Sequence, residues 1–116
     1  MTDEQSCVKE VRDEGSAIVV VLTGTVDMHH TPEVHKALIA ACNRQPKGGL
    51  VINLQNVTYM DSSGIGTLVE VFRRVNGYNG KLGLCGLNDR VYSVFEITKL
   101  DKFFQIYDTE AEALAG

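Results

Sequence analysis

The sequence predicts an α/β fold: one domain over residues 1–116, on a mixed, mostly parallel sheet with an N-terminal hairpin and four helices. Three observations predict it. Two runs, residues 17–23 and 50–54, are almost wholly apolar and rich in β-branched side chains, as in strands covered on both faces. Stretches of helical period follow capping signals at Thr31, Asp61-Ser62-Ser63, Asn88-Asp89 and Asp108-Thr109. After an opening hairpin the two kinds of segment alternate, which requires parallel strands joined by right-handed crossovers.

Each element has its own warrant. Residues 6–12 alternate loosely, and Asp13-Glu14-Gly15-Ser16 supplies a turn into the apolar run that follows, so the two strands read as a hairpin. Thr31-Pro32-Glu33 reads as a helix start, with Thr31 as N-cap, Pro32 at the first helical position and an acid in the first turn. Val34, Leu38, Ala41 and Cys42 then form one apolar face, and Pro46-Lys47-Gly48-Gly49 ends the helix before the strand at 50–54. In the second helix Ile65, Leu68, Val69, Phe72 and Val75 share a face, opposite Glu70, Arg73 and Arg74, and Asn76-Gly77 is its stop. Residues 82–85 form a short strand. Asn88-Asp89 caps a helix with Val91, Val94 and Phe95 inward, residues 103–107 form the last strand, and Asp108-Thr109 caps a Glu- and Ala-rich final helix.

Composition removes several classes of function. Hydrophobic residues make up 44% of the 116 and charged residues 22%, proportions of a chain that folds. Eleven Lys and Arg against fifteen Asp and Glu give a net charge of −4 with no basic tract, which argues against direct nucleic-acid binding through phosphate charge. The longest apolar run, Ala17 to Leu22, is six residues, where a membrane span needs about 20. The opening Met1-Thr2-Asp3-Glu4-Gln5-Ser6 is acidic and polar, unlike an export signal, so a cytoplasmic protein is expected. Cys7, Cys42 and Cys85 are odd in number and widely spaced, as for reduced thiols that pack as small apolar groups.

The chemistry concentrates in Val57-Thr58-Tyr59-Met60-Asp61-Ser62-Ser63-Gly64-Ile65-Gly66, which follows a buried strand and opens a helix. Partners and ligands of open α/β sheets meet that edge. One of Asp61, Ser62 and Ser63 suffices as the N-cap. That leaves a surplus hydroxyl, which reads either as a redundant cap or as a phosphate acceptor. Gly64 and Gly66 lack a Cβ, so another molecule could approach closely there. A dinucleotide cradle is disfavoured because Val69 stands where the fingerprint needs Gly or Ala, and no P-loop pattern surrounds Gly80-Lys81-Leu82. His29, His30 and His35 lack the spacing of a zinc site, so no metal is expected, and no nucleophile–base arrangement of an enzyme is visible. Asp27 reads as a turn former just past a strand, a role compatible with contacting a partner.

The stretch Asp61-Ser62-Ser63-Gly64-Ile65-Gly66, preceded by residues 57–60, resembles the phosphorylation motif of bacterial anti-sigma factor antagonists, which are single STAS domains. Leu22-Thr23-Gly24-Thr25-Val26-Asp27 followed by the Thr31 helix resembles the family's second signature, with Thr25-Val26 where the family usually carries an acid. The pattern of Val91, Phe95, Leu100 and residues 104–110 is also similar. The resemblance implies a non-enzymatic partner switch of STAS-like fold, without a cofactor of its own. The unmodified chain would bind an anti-sigma factor, often a serine kinase of the GHKL type carrying ATP and Mg²⁺, and so release the sigma factor. Phosphorylation of Ser62 would end that binding, a metal-dependent phosphatase would restore it, and Ser63 is then the expected N-cap of the helix. The partner surface implied comprises Asp27, His29, His30, Thr31, Asp61, Ser62, Ser63, Gly64, Ile65 and Gly66. Two other readings stay open: an unphosphorylated scaffold or transport-complex subunit on the same fold, and a small-molecule site at the Gly64/Gly66 turn.

Overall fold

The structure is a computed structural model that describes residues 6–116, so the N-terminal residues 1–5, read above as lacking an export signal, lie outside it. Strands β1 (Val8–Glu14), β2 (Ala17–Val26), β3 (Leu50–Met60), β4 (Leu82–Cys85) and β5 (Gln105–Tyr107) form one sheet in sequence order. The hairpin pair β1–β2 is antiparallel and every other pair is parallel. Helices α1 (Thr31–Asn43), α2 (Ser62–Gly77) and α3 (Asp89–Ile97) cross between parallel strands, and α4 (Glu110–Ala115) follows β5. The mixed, mostly parallel sheet with four helices is therefore as the sequence predicts.

The strand order dictates where the core sits. Each new parallel strand is added on the same side of the last, so right-handed crossovers place α1, α2 and α3 on one face of the sheet. That face buries Ile18, Val20, Leu22, Leu50, Ile52, Leu54 and Leu84 against Val34, Leu38, Leu68, Val71, Val91 and Phe95. Alternate strand residues Val19, Val21, Val51 and Cys85 point the other way and meet α4 through Ala113. Both faces are covered, which is why the central strands carry almost wholly apolar runs.

Several boundaries differ from the sequence reading. β3 continues to Met60 rather than stopping at 54, with Val57 and Met60 buried among exposed polar neighbours, because register shifts against β2 break the simple alternation. β5 is shorter than expected. Phe103 and Phe104 belong to the segment after a 3-10 turn at Leu100–Lys102, and Phe104 packs edge-on against Phe95 at 5.7 Å between ring centroids. Thr31 is the first residue of α1, not its cap; His30 takes the cap position without a side-chain hydrogen bond. On α2, Val71 is buried while Val69 and Phe72 are half-buried, a small rotation of the predicted face. Cys7, Cys42 and Cys85 are free and buried, and desolvation pushes the Cys7 and Cys85 thiols up to about 11. Among the described residues no helix is long and apolar enough to cross a membrane.

α4 has only six residues, too few to persist alone. It is held by a reciprocal capping box between Thr109 and Glu112 and by two contacts to Glu110. The buried Asn53 amide donates to Glu110 Oε1 at 2.8 Å, and the Arg12 guanidinium reaches Glu110 from β1. Replacing Glu110 with Ala leaves the Asn53 donor without its partner and should cost about 1–3 kcal/mol, read as a lower urea midpoint at unchanged m-value.

Candidate functional site

The parallel β2–β3 pair sets the site. Val26 aligns with Met60, and the Asp61 amide donates to the Val26 carbonyl at 3.2 Å, so the two residues that leave these strands, Asp27 and Asp61, lie side by side. One chain then enters α1 and the other α2, both from the carboxyl edge of the sheet. The pairing thus unites the two sequence signatures.

Asp61 is the N-cap of α2, with extended backbone (φ −97°, ψ −172°), and this corrects the expectation that Ser63 caps the helix. Its Oδ1 accepts from the Ser63 amide at 2.9 Å, the Gly64 amide at 3.3 Å and the Ser63 hydroxyl at 2.6 Å. The physical reason is that a carboxylate one residue earlier reaches two orphan amides and a hydroxyl together, where a serine oxygen reaches fewer. The Ser63 hydroxyl is thereby spent inside the protein. Ser62 is exposed, and its hydroxyl makes no hydrogen bond among the described residues. The surplus hydroxyl that the sequence implied is therefore Ser62.

The paired signature is organised by Asp27. Its carbonyl accepts from the His30 and Thr31 amides, each at 2.9 Å, and its Oδ1 accepts from the His29 amide at 3.0 Å and from His30 Nδ1 at 2.7 Å. Asp27 is thus a turn former, and the turn explains why α1 needs no capping side chain. The His30 hydrogen bond is the main cause that holds the Asp27 carboxyl below its ordinary value, and the Ser63 hydroxyl does the same for Asp61. The nearby Asp27 charge works against the second shift, which marks the two carboxylates as neighbours.

The remaining predicted residues divide by burial. Ser62, Gly66 and His29 are exposed, and Asp27, His30, Thr31, Asp61 and Ser63 are half-buried. Gly64 and Ile65 are buried against the core. A Cβ on Gly64 would stand 2.5 Å from Met60 Cγ and 3.1 Å from Val26 Cγ1, so its missing side chain serves close packing of helix on strand, not approach by another molecule. Gly66 has open space around it. His35 lies away from this group, donating to Glu70 of α2 at 3.0 Å. Among the described residues no three His, Cys, Asp or Glu side chains cluster as metal ligands would. Sequence reasoning missed Met28 and Tyr59, both exposed at this edge, and Arg90, whose guanidinium lies 5.2 Å above the Tyr59 ring. An apolar residue inside a turn of Asp and His was the available signal for the first.

Residues 8–113 match the profile of the family described as STAS domain. The chain is 37% identical over 97 residues to the anti-sigma-B factor antagonist of Listeria monocytogenes, covering 82% of each chain. It is 30% identical over 105 residues to the anti-sigma F factor antagonist of Paenibacillus polymyxa, covering 90% of each. An anti-sigma factor antagonist from Mycobacterium paratuberculosis shares the fold with a TM-score of 0.87 at 27% identity, over 99% of this chain and 97% of that one.

Two glycines two residues apart should respond oppositely to alanine. Gly66→Ala removes a helix-interior glycine at an open position and should stabilise by about 0.5–1 kcal/mol. Gly64→Ala forces its methyl into Met60 and Val26 and should destabilise by about 1–3 kcal/mol; thermal melts of the two variants check both signs. The acid side is also fixed. Both aspartates are depressed in the fold, so their contribution is complete above about pH 4, the ordinary carboxylate range, and is lost as pH falls through the lower folded values. Asp61→Asn keeps an acceptor oxygen at the cap, so it should stay folded at pH 7 and show a shallower loss of stability between pH 4 and 2 in acid-denaturation curves.

Proposed function

The chain belongs to the STAS domain family, among its anti-sigma factor antagonists, and we propose that it works as a partner switch thrown at Ser62. In the unmodified state the carboxyl edge of β2 and β3 docks on an anti-sigma factor and so frees the sigma factor. The contact surface comprises Ser62, Gly66, His29 and the accessible parts of Asp27, His30, Thr31, Asp61 and Ser63. The anti-sigma factor is a serine kinase of the GHKL type that brings its own ATP and Mg²⁺, and a metal-dependent phosphatase reverses the modification. The chain itself catalyses nothing, takes no cofactor, and acts in the cytoplasm without contacting nucleic acid or membrane.

The observation that carries this reading is the division of labour between two adjacent serines. Ser63 gives its hydroxyl to Asp61, whereas the Ser62 hydroxyl, at an exposed helix start, makes no hydrogen bond among the described residues. A kinase needs the second kind. The phosphoryl group adds about −1.5 to −2 charges, which would take the chain from −4 to about −5.5 to −6. Its place matters more than the total. The helix dipole tolerates an anion at the start of α2, so the fold persists. A partner that had met a neutral hydroxyl must instead desolvate a dianion beside two carboxylates already held ionised, and like-charge repulsion and desolvation together cost several kcal/mol.

Binding of the purified anti-sigma factor to Ser62→Ala, Ser62→Glu and kinase-treated wild type tests the switch. Ser62→Ala should bind within about threefold of wild type and resist phosphorylation. The phosphorylated chain should bind at least about a hundredfold more weakly, equal to about 2.7 kcal/mol, with Ser62→Glu between. Equal binding by all three forms would remove Ser62 from the role. Phosphate incorporation at Ser63 instead, located by mass spectrometry, would reassign the acceptor.

A further inference from the structure

Building on that docking reading, we propose that Met28 is the apolar anchor of the surface, inserting into an apolar pocket of the anti-sigma factor. Met28 lies in the loop between β2 and α1 and is 68% exposed. Turn positions of this kind favour Asp, Asn, Gly and Ser, and the fold makes no use of the Met28 side chain in either of its apolar clusters. Met60, in contrast, is fully buried.

The backbone that carries Met28 is held on both sides. Asp27 accepts four hydrogen bonds from His29, His30 and Thr31, and the Thr31 hydroxyl donates to the Met28 carbonyl at 3.5 Å. Docking therefore has to order one flexible, polarisable side chain rather than a loop, which keeps the entropic cost of contact low. The position is also specific. Five large hydrophobics are exposed among the described residues, and only Met28 and Tyr59 stand at the carboxyl edge of the strands. Ile97 and Phe103 lie at the far end, where α3 finishes, and Val11 is on β1. Thr25 pairs with Tyr59 and Val26 with Met60, so the ribbon that displays Tyr59 also leads into Met28 and Ser62.

The anchor gives the switch its contrast. An apolar side chain seated in a partner's pocket at the strand edge that also carries Ser62 would help exclude water there, so a later phosphate would meet an interface where its charge is poorly solvated. Met28 thereby sets both the affinity of the unmodified chain and the ratio between its unmodified and phosphorylated binding.

The test compares Met28→Gln, Met28→Leu, Ile97→Gln and Ser62→Glu for binding to the purified anti-sigma factor, with thermal melts as a check on folding. Met28→Gln should bind at least about tenfold more weakly, the usual loss for an interface anchor, and should show a smaller ratio of unmodified to phosphorylated affinity. Met28→Leu should bind within about threefold of wild type, and Ile97→Gln should match it. If Met28→Gln binds like wild type while Ser62→Glu still loses binding, the anchor is wrong and the Ser62 reading stands. Equal losses in Met28→Gln and Met28→Leu, or in Met28→Gln and Ile97→Gln, also overturn it. Unimpaired binding by both Ser62→Glu and the kinase-treated wild type overturns the Ser62 reading itself.

Discussion

The parallel registration of β2 with β3 is the constraint on which the rest depends. Because Val26 stands opposite Met60, the chain leaves both strands at one level, and Asp27 and Asp61 emerge as neighbours. Each aspartate then starts its own helix in its own way. Asp61 caps α2 directly, and Asp27 folds a turn that delivers Thr31 into α1. Neither device requires the other, but only the shared strand level makes them one surface. A slip of one residue in this pair would turn Val26 or Met60 out of the core, so the register is protected by burial: both are fully buried.

The same registration explains how a small protein separates stability from signalling. Gly64, Ile65, Leu68, Val71 and Val75 hold α2 to the sheet, and Gly64 does so by omission, since any side chain there meets Met60. On the outer side the helix shows Ser62 and Gly66. A charge placed at Ser62 therefore acts on what approaches from solvent, while the contacts that hold the helix lie on the opposite side. The Asp61 carboxylate strengthens this division because its hydrogen bonds to Ser63 and Gly64 saturate the amides that a phosphate at Ser62 would otherwise compete for.

The sequence made the architecture legible wherever a local rule coincided with the tertiary demand. Residues 17–22, and 50–54 apart from Asn53, are apolar because two layers cover them, and Asn88 and Thr109 cap the helices they precede. It was less legible where tertiary contacts overrode local preference. The polar Gln55, Asn56 and Thr58 hid the continuation of β3, which persists because β2 runs alongside it through two register shifts. Phe103 and Phe104 looked like strand residues, yet the turn before them, with Lys99 at φ +66°, delivers Phe104 to the helical core. At the site, the sequence reading separated Ser62 from Ser63 but gave the cap to Ser63 instead of Asp61. The choice of Asp61 over Ser63 as cap depends on a side chain that bonds two amides and a hydroxyl at once, a three-dimensional fact that no single position records.

That choice bears on why two serines stand together. If Ser63 were the cap and Asp61 free, phosphorylation next door would place the new dianion against an unbonded carboxylate, and the repulsion would act within the chain. With Asp61 committed to the amides of Ser63 and Gly64, its charge is already compensated by the positive end of α2. The helix start thus already holds one negative charge at Asp61, and the neighbouring Ser62 side chain lies exposed beside it. Ser63 serves this arrangement as the donor that keeps Asp61 ionised and oriented, being the largest cause of the depressed Asp61 carboxyl. Two adjacent hydroxyls are accordingly in different settings: Ser63 donates to Asp61, and Ser62 makes no side-chain hydrogen bond among the described residues.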